Sequence, residues 1–440
     1  AGDTDAFARQ NGLYTLAERG MADGTETASN IINAAISRVL SAAGQWQDIL
    51  ACAANPEMEV IISNTTEIGI RLDPEDAFSV QPVSFPGRLL AWLEERYRVF
   101  NGDPERGCTI VPTELIVENG KTLKKVLMQL AALKKLPVDF VHWLDTANEI
   151  CDSLVDCIVP GKLPATAQQE LEEQLGYRDA LMIMSEPYRL WAIETHDPRS
   201  EQRLSFRKGN PGMILAPSIE KFRELKLRLL NATHTFSCGL ALLGGYETVK
   251  QAMQEETFRY YVRHLMLDEI KPLITGHGIS EAEAIRFAEQ VLDRFANPAI
   301  EHRWISITAQ YSSKMQMRCI PLVQQYCQKH TKPPILMALG FAAYLLFMQS
   351  EQDNNGQPVV GIRGINYPVT DSKAGLLQEQ WLRYGSSEIA IKTLTDPELF
   401  GLDQASVAGF AATVTAYIDL LEKQDAILVL RSILAAKSYS

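Results

Sequence analysis

Apolar and polar positions change period along this chain, and the change divides it in two. Up to about residue 200, short β-rich runs (Glu59-Val-Ile-Ile-Ser63, Thr109-Ile-Val-Pro112 and Val138-Asp-Phe-Val-His142) alternate with stretches of helical period at 89–97 and 122–130. Such alternation predicts a mostly parallel sheet covered by helices. Residues 196–217, rich in charge, Gly and Pro, read as the exit from this domain. From Ser218 the pattern is nearly all helical. Ser280-Glu-Ala-Glu283 has the form of a capping box ahead of a periodic run. The apolar run 335–348 is too short to cross a bilayer and suits a buried helix. Residues 351–387, with Asn354-Asn355-Gly356 and few apolar periods, are expected to be loop-rich. The organisation expected is therefore an α/β domain over 1–217 and a largely α-helical domain over 218–440.

Composition narrows the partners. With 440 residues, 46% of them apolar, the chain has material for two cores of ordinary size. A formal charge of -12 argues against nucleic acid or an anionic membrane surface as the main partner, so an anionic small substrate would need a local basic pocket. Seven cysteines, an odd number without a CxxC or a paired Cys/His spacing, read as reduced thiols of a cytoplasmic protein rather than as disulfides or a metal site. No signal peptide is visible. The chain begins with Ala1, and 1–16 read as a loop entering a strand, so a preceding segment is expected.

The densest chemistry lies in Lys226-Leu-Arg-Leu-Leu-Asn231-Ala-Thr-His234. Pro217-Ser218 supplies a break and an N-cap, Glu220 falls in the first turn, and helix formers run on to Gly239. At about 100° per residue, with Lys226 at zero, His234 falls near ~80° and Asn231 near ~140°, with Leu227 and Leu230 between them. Polar groups interleaved with leucines are partly desolvated, and desolvation lowers the proton affinity of a Lys, which suits it to general-base work. The Asn amide and the His N–H are donors for an oxygen that gains charge. From the triplet alone, a surface Lys, a back-bonding Asn and a satisfied core His are an equal alternative.

Two loops follow strands at their carboxyl ends, where open α/β sheets bind ligands. Asn64, Thr65, Thr66 and Glu67 follow the first strand and offer short polar groups to a ribose or a carboxamide. Asn119-Gly120 follows the second and suits a tight turn that presents a carboxamide. Gly120-Lys121-Thr122 imitates a phosphate-binding loop, but Leu115 stands where that motif needs Gly. Tyr246-x3-Lys250 imitates another dehydrogenase signature, in the wrong half of the chain.

Together Ser63-Asn-Thr-Thr-Glu67, Pro112-Thr-Glu-Leu-Ile-Val-Glu-Asn-Gly120, Leu154-Val-Asp-Cys157 and Lys226-x4-Asn231-x2-His234 resemble the polyol-specific long-chain dehydrogenase and reductase family, which includes mannitol dehydrogenase, fructuronate reductase and tagaturonate reductase. The likeness spans almost the whole chain. Asn55-Pro-Glu-Met58, Phe140-Val-His-Trp143 and Glu173-Gln-Leu-Gly-Tyr177 bring it nearest to the tagaturonate reductase (altronate oxidoreductase) branch. The resemblance implies a Rossmann-like domain that binds NAD, with NADP open, and a helical substrate domain, with the site in the cleft between them. It implies metal-independent hydride transfer between a keto-hexuronate, tagaturonate, and altronate. Lys226 matches the general acid/base, Asn119 and Asn231 the oxyanion pair, and His234 the residue that orients the substrate oxygen. Asn64–Glu67 match a loop near the cofactor, Asp156 a substrate-side position and Lys314 a substrate-binding lysine.

The departures are informative. Cys157 stands where many relatives have Arg. Arg223 stands three residues before the Lys where mannitol-type members have an acid, and Arg can grip a carboxylate with two parallel bonds. Arg318, one turn after Lys314, is a second candidate for that grip; a solvated helix face is the alternative for both. The Gly-rich segment that binds the cofactor diphosphate in the family is expected upstream of Ala1. The rival readings are a fructuronate or polyol enzyme of the same family, a nucleotide-phosphate-binding protein using Gly120-Lys121-Thr122, and a non-catalytic scaffold.

Overall fold

A computed structural model describes residues 4–276 and 278–438. The chain forms two compact units. One comprises the described residues up to Arg19 with Thr27–Phe222, the other Gly20–Glu26 with those from Arg223 onward. The division falls inside the short helix Glu220–Glu224.

The first unit is α/β, and its strand pairs are mostly parallel. Strands Val60–Ser63, Thr109–Pro112 and Glu149–Ile150 lie side by side in parallel, with Ser63 level with Pro112 at their carboxyl ends. Tyr14–Ala22 pairs in parallel with Ile183–Ser185. Leu190–Glu194 runs antiparallel to Ser153–Asp156 and parallel to Met213–Ala216. That last strand lies within 196–217, the stretch expected as an exit, and makes it part of the sheet domain. Helices Phe85–Val99 and Asn119–Leu133 bury Leu89, Leu93, Leu123 and Leu127 against Ile110, because their apolar residues recur every three or four positions. Residues 138–142 are not a strand. Val138–Thr146 is a helix whose Phe140, Trp143 and Leu144 follow helical spacing into the same core.

The second unit is mainly helical. Its axis is Ile335–Phe347, buried along almost its whole length against Thr233–Leu243 and Gln404–Lys423. Among the described residues no helix is long and apolar enough to cross a membrane. Close approach is needed at Gly340, where a Cβ would lie 2.6 Å from the Phe236 carbonyl oxygen. Ser280 and Glu283 form the expected capping box. The stretch 351–387 is more ordered than its polarity implies: Glu351–Gln352, Pro358–Ile362 and Ile365–Pro368 make an antiparallel meander, and helix Ala374–Thr395 follows.

Three helical runs widen into π-turns, at Leu225–Ala232, Leu265–Ile270 and Met315–Cys319. Hydrogen bonds there run to the fifth residue instead of the fourth. Two of the three share a cause. Pro272 and Pro321 stand two residues past the last two runs, and a proline offers no N–H to the carbonyl four residues back while its ring crowds that carbonyl. The first run has no such proline.

Candidate active site

The π-turn changes the phase of the Lys226 helix. Each residue advances by less than the 100° of an α-helix, so the azimuth between Lys226 and Asn231 narrows and both come nearer to one face. Both are half-buried. Among the described residues the Asn231 side chain enters no hydrogen bond; only its backbone carbonyl is used, by the Thr235 hydroxyl at 2.8 Å. That leaves the carboxamide to donate outward.

One turn further on, where the α-helix Thr233–Leu243 resumes, His234 is 8% exposed and its ring stacks on Phe295 at 3.9 Å. The His302 ring meets it edge-on at 5.3 Å. His234 Nε2 is buried without a hydrogen-bond partner among the described residues. Burial above all, then the charges of His302, Arg294, Arg318 and Lys314, holds the imidazole well below its ordinary 6.5, so it is neutral. Burial likewise lowers His302, Lys314 and Arg318, and Arg318 adds to the effect on Lys314 as a like charge.

Lys314 and Arg318 lie on the third π-turn and its N-cap, half-buried. Lys314 donates to the Ile307 carbonyl at 2.8 Å, and Arg318 Nη1 reaches the Thr235 hydroxyl at 3.4 Å. Thr235 thus links the Arg318 side chain to the Asn231 backbone. A partly desolvated pair of cations beside a neutral His with an unsatisfied nitrogen is a place for an anion. Arg223, on Glu220–Glu224, is also half-buried.

The first unit holds the other expected residues. Asn119 is 1% exposed, and its amide nitrogen donates to the carbonyls of Pro112 (3.1 Å), Glu114 (3.1 Å) and Ser153 (3.0 Å). Its oxygen accepts from the Ser153 and Gly120 amides, each at 2.9 Å. In this arrangement neither hydrogen is left over for a substrate oxygen, and Asn119 braces the strand ends instead. Asp156, buried at the end of Ser153–Asp156, pairs in register with Leu190.

Asn64 to Glu67 are exposed after Val60–Ser63. Thr65 is tied down, its amide (2.9 Å) and hydroxyl (2.7 Å) both donating to Glu114 Oε1 while the Ser63 hydroxyl takes Oε2 at 3.0 Å. Glu114, buried at 4%, therefore fixes one strand-end loop to the next. Around these loops Ile62, Ile68, Leu115 and Val117 are each at least half exposed. Polar groups beside an apolar platform at parallel strand ends are the kind of surface on which open α/β sheets bind ligands.

The apparent phosphate loop is already filled by the protein. Asp152 Oδ1 accepts from the amides of Gly120 (2.8 Å) and Lys121 (3.1 Å), the position at a helix N-terminus that an anion would take. Gly120 is required there, since a Cβ would come within 2.4 Å of the Cys151 carbonyl oxygen. The Tyr246-x3-Lys250 decoy is likewise accounted for: Lys250 pairs with Glu301. Sequence reasoning missed Glu114, Asp152, His302 and Arg294. Each acts across more than thirty residues, and no local spacing marks it.

A unit with parallel strands and ligand-ready strand ends, followed by a helical unit bearing Lys, Asn and His on one run, defines a two-domain nicotinamide-dependent dehydrogenase. Residues 3–206 match the mannitol dehydrogenase Rossmann domain and residues 218–419 the mannitol dehydrogenase C-terminal domain; the chain belongs to the mannitol dehydrogenase family. It is 33% identical over 413 residues to the altronate oxidoreductase of Bacillus subtilis (strain 168), a match covering 93% of this chain and 82% of that protein. The altronate oxidoreductase of Halalkalibacterium halodurans is 34% identical over 406 residues, covering 90% and 77%. Among solved structures, D-sorbitol dehydrogenase in substrate-free form superposes with a TM-score of 0.75 at 18% identity, over 98% of this chain and 87% of that one. Mannitol 2-dehydrogenase of Pseudomonas fluorescens, in ternary complex with NAD and D-mannitol, gives 0.64 at 22%, over 98% and 85%. The structural likeness speaks for the fold. The altronate oxidoreductase relatives and the family domains make the chain an oxidoreductase of polyol type, acting on a CH–OH group.

Proposed function

We propose that the protein interconverts D-altronate and D-tagaturonate with NAD, by metal-independent hydride transfer. When bound, the nicotinamide takes or gives the hydride. In oxidation Lys226 removes the hydroxyl proton as the C–H bond yields its hydride; in reduction it returns a proton to the carbonyl oxygen. The Asn231 carboxamide donates to that oxygen as charge grows on it, and neutral His234 orients it through Nε2. Such a donor is worth about 10²–10³ in turnover. Lys314 and Arg318 hold the carboxylate, and Asn64, Thr66 and Glu67 hold the cofactor. Asn119 acts as a positioning residue for the strand ends. Asp156 and Arg223 are proposed on the substrate side from the sequence pattern alone.

The observation that carries this reading is the uncommitted Asn231 carboxamide on the Lys226 π-turn, linked through Thr235 to the buried cations. A neutral polyol gives those cations nothing to pair with. Two measurements test the proposal. Lys226→Ala should lose turnover on tagaturonate while NADH fluorescence titration stays close to wild type; wild-type turnover would sink the Lys role. Comparing kcat/KM on tagaturonate, fructuronate and fructose should favour the acids over the ketose, and equal values would sink the carboxylate grip.

A further inference from the structure

Arg228 lies two residues past Lys226 on the first π-turn, and nothing above gives it a task. Its side chain is only 14% exposed. Glu224, one turn earlier, holds its Nε at 3.1 Å, and Nη1 reaches out of the helix to the carbonyls of Met317 (3.1 Å) and Arg318 (2.9 Å) on the third π-turn. Both bonds cross from the first π-turn to the third. The backbone from which the Arg318 side chain springs is thus anchored to the run that carries Lys226 and Asn231. Hydrogen bonds donated by a charged group are stronger than neutral ones, and two of them to successive carbonyls hold the two turns in one register.

We infer that Arg228 is a positioning residue. It sets the reach between the proton-transfer pair, Lys226 and Asn231, and the carboxylate grip of Arg318, and so selects for a substrate whose acid group lies at one distance from the reacting carbon. The inference rests on the reading of Arg318 given above. Loss of the anchor displaces a group that binds the ground state and the transition state alike, which raises KM and leaves kcat nearly intact. A merely structural role predicts the opposite. Fewer folded molecules lower the apparent kcat at constant KM.

The experiment is steady-state kinetics on tagaturonate with NADH for Arg228→Gln, Arg318→Gln and the double variant, using the full chain. The expected result is a KM raised about tenfold or more in Arg228→Gln with kcat within about threefold, and no further rise when it is added to Arg318→Gln. A fall in kcat at constant KM, or effects that multiply in the double variant, overturns the role of Arg228. A KM effect in Arg318→Gln without one in Arg228→Gln also overturns it, and leaves the grip standing. An unchanged KM in Arg318→Gln overturns the grip itself, and the role of Arg228 with it. Should Arg228→Gln fail to fold, Arg228→Lys keeps a charge that reaches one carbonyl. Its KM should rise about threefold, and a wild-type value is a refutation.

Discussion

Removing the Asp152 carboxylate tests whether the glycine turn is a structural cap or a phosphate site. In the native chain Asp152 Oδ1 satisfies the first amides of helix Asn119–Leu133. In Asp152→Ala the Gly120 amide keeps the Asn119 oxygen at 2.9 Å, whereas the Lys121 amide has no other acceptor. The one amide left without an acceptor costs about 1–2 kcal/mol, in the range of a lost cap. Asp152→Ala should therefore destabilise the first unit by about 1–2 kcal/mol. Asp152→Asn keeps an oxygen in place and gives up the interaction of charge with the helix dipole, about 0.3–1 kcal/mol, and an exposed ion pair with Lys121 that adds little. Urea unfolding followed by circular dichroism, with the midpoint compared at unchanged slope, separates the two. Equal destabilisation by Ala and Asn, or less than about 0.5 kcal/mol for Ala, would refute the capping argument.

Two further outcomes follow from buried groups in the helical unit. Glu269 accepts from the Leu336 (2.9 Å) and Met337 (2.8 Å) amides and caps the central helix, whose own N-cap, Pro334, offers no side-chain bond. Glu269→Ala should lower the thermal midpoint more than Glu269→Gln, which keeps one acceptor; identical melts would count against the cap. His234 and His302 have pKa values below the ordinary 6.5, so below that pH the unfolded chain binds protons that the native one does not, and stability falls as pH falls. The urea midpoint should drop between pH 7.5 and pH 5, and the drop should shrink in His234→Gln. An unchanged pH dependence in that variant would rule out the buried imidazole as its source.

Strands Val60–Ser63 and Thr109–Pro112 are legible in the sequence because apolar β-branched residues fill them and turn residues follow. Residues 138–142 deceive because three of their five positions, Val138, Phe140 and Val141, suit a strand; the deciding signal, Phe140-x2-Trp143-Leu144, lies partly beyond them. The meander at 351–368 hides in polar sequence because it is small and half solvated. Lys226, Asn231 and His234 are visible as a spacing, but their shared face depends on a π-turn that no proline announces. The pairing of Glu114, Asp152 and Glu269 with distant amides is invisible for a plain reason. Any carboxylate can accept such bonds, and only the fold decides which one does.

A π-turn separates the length of a helix from its phase. Deleting one residue from Leu225–Ala232 would shorten the run by one rise and restore α-helical hydrogen bonding, at little local cost to the helix. Because about seven α-helical steps turn the chain as far as about eight wider ones, His234 would keep both its bearing on Lys226 and its stack on Phe295. Between relatives of equal helix content, a single residue gained or lost in this run would therefore be absorbed as the presence or absence of a π-turn, with the helix beyond it left in phase.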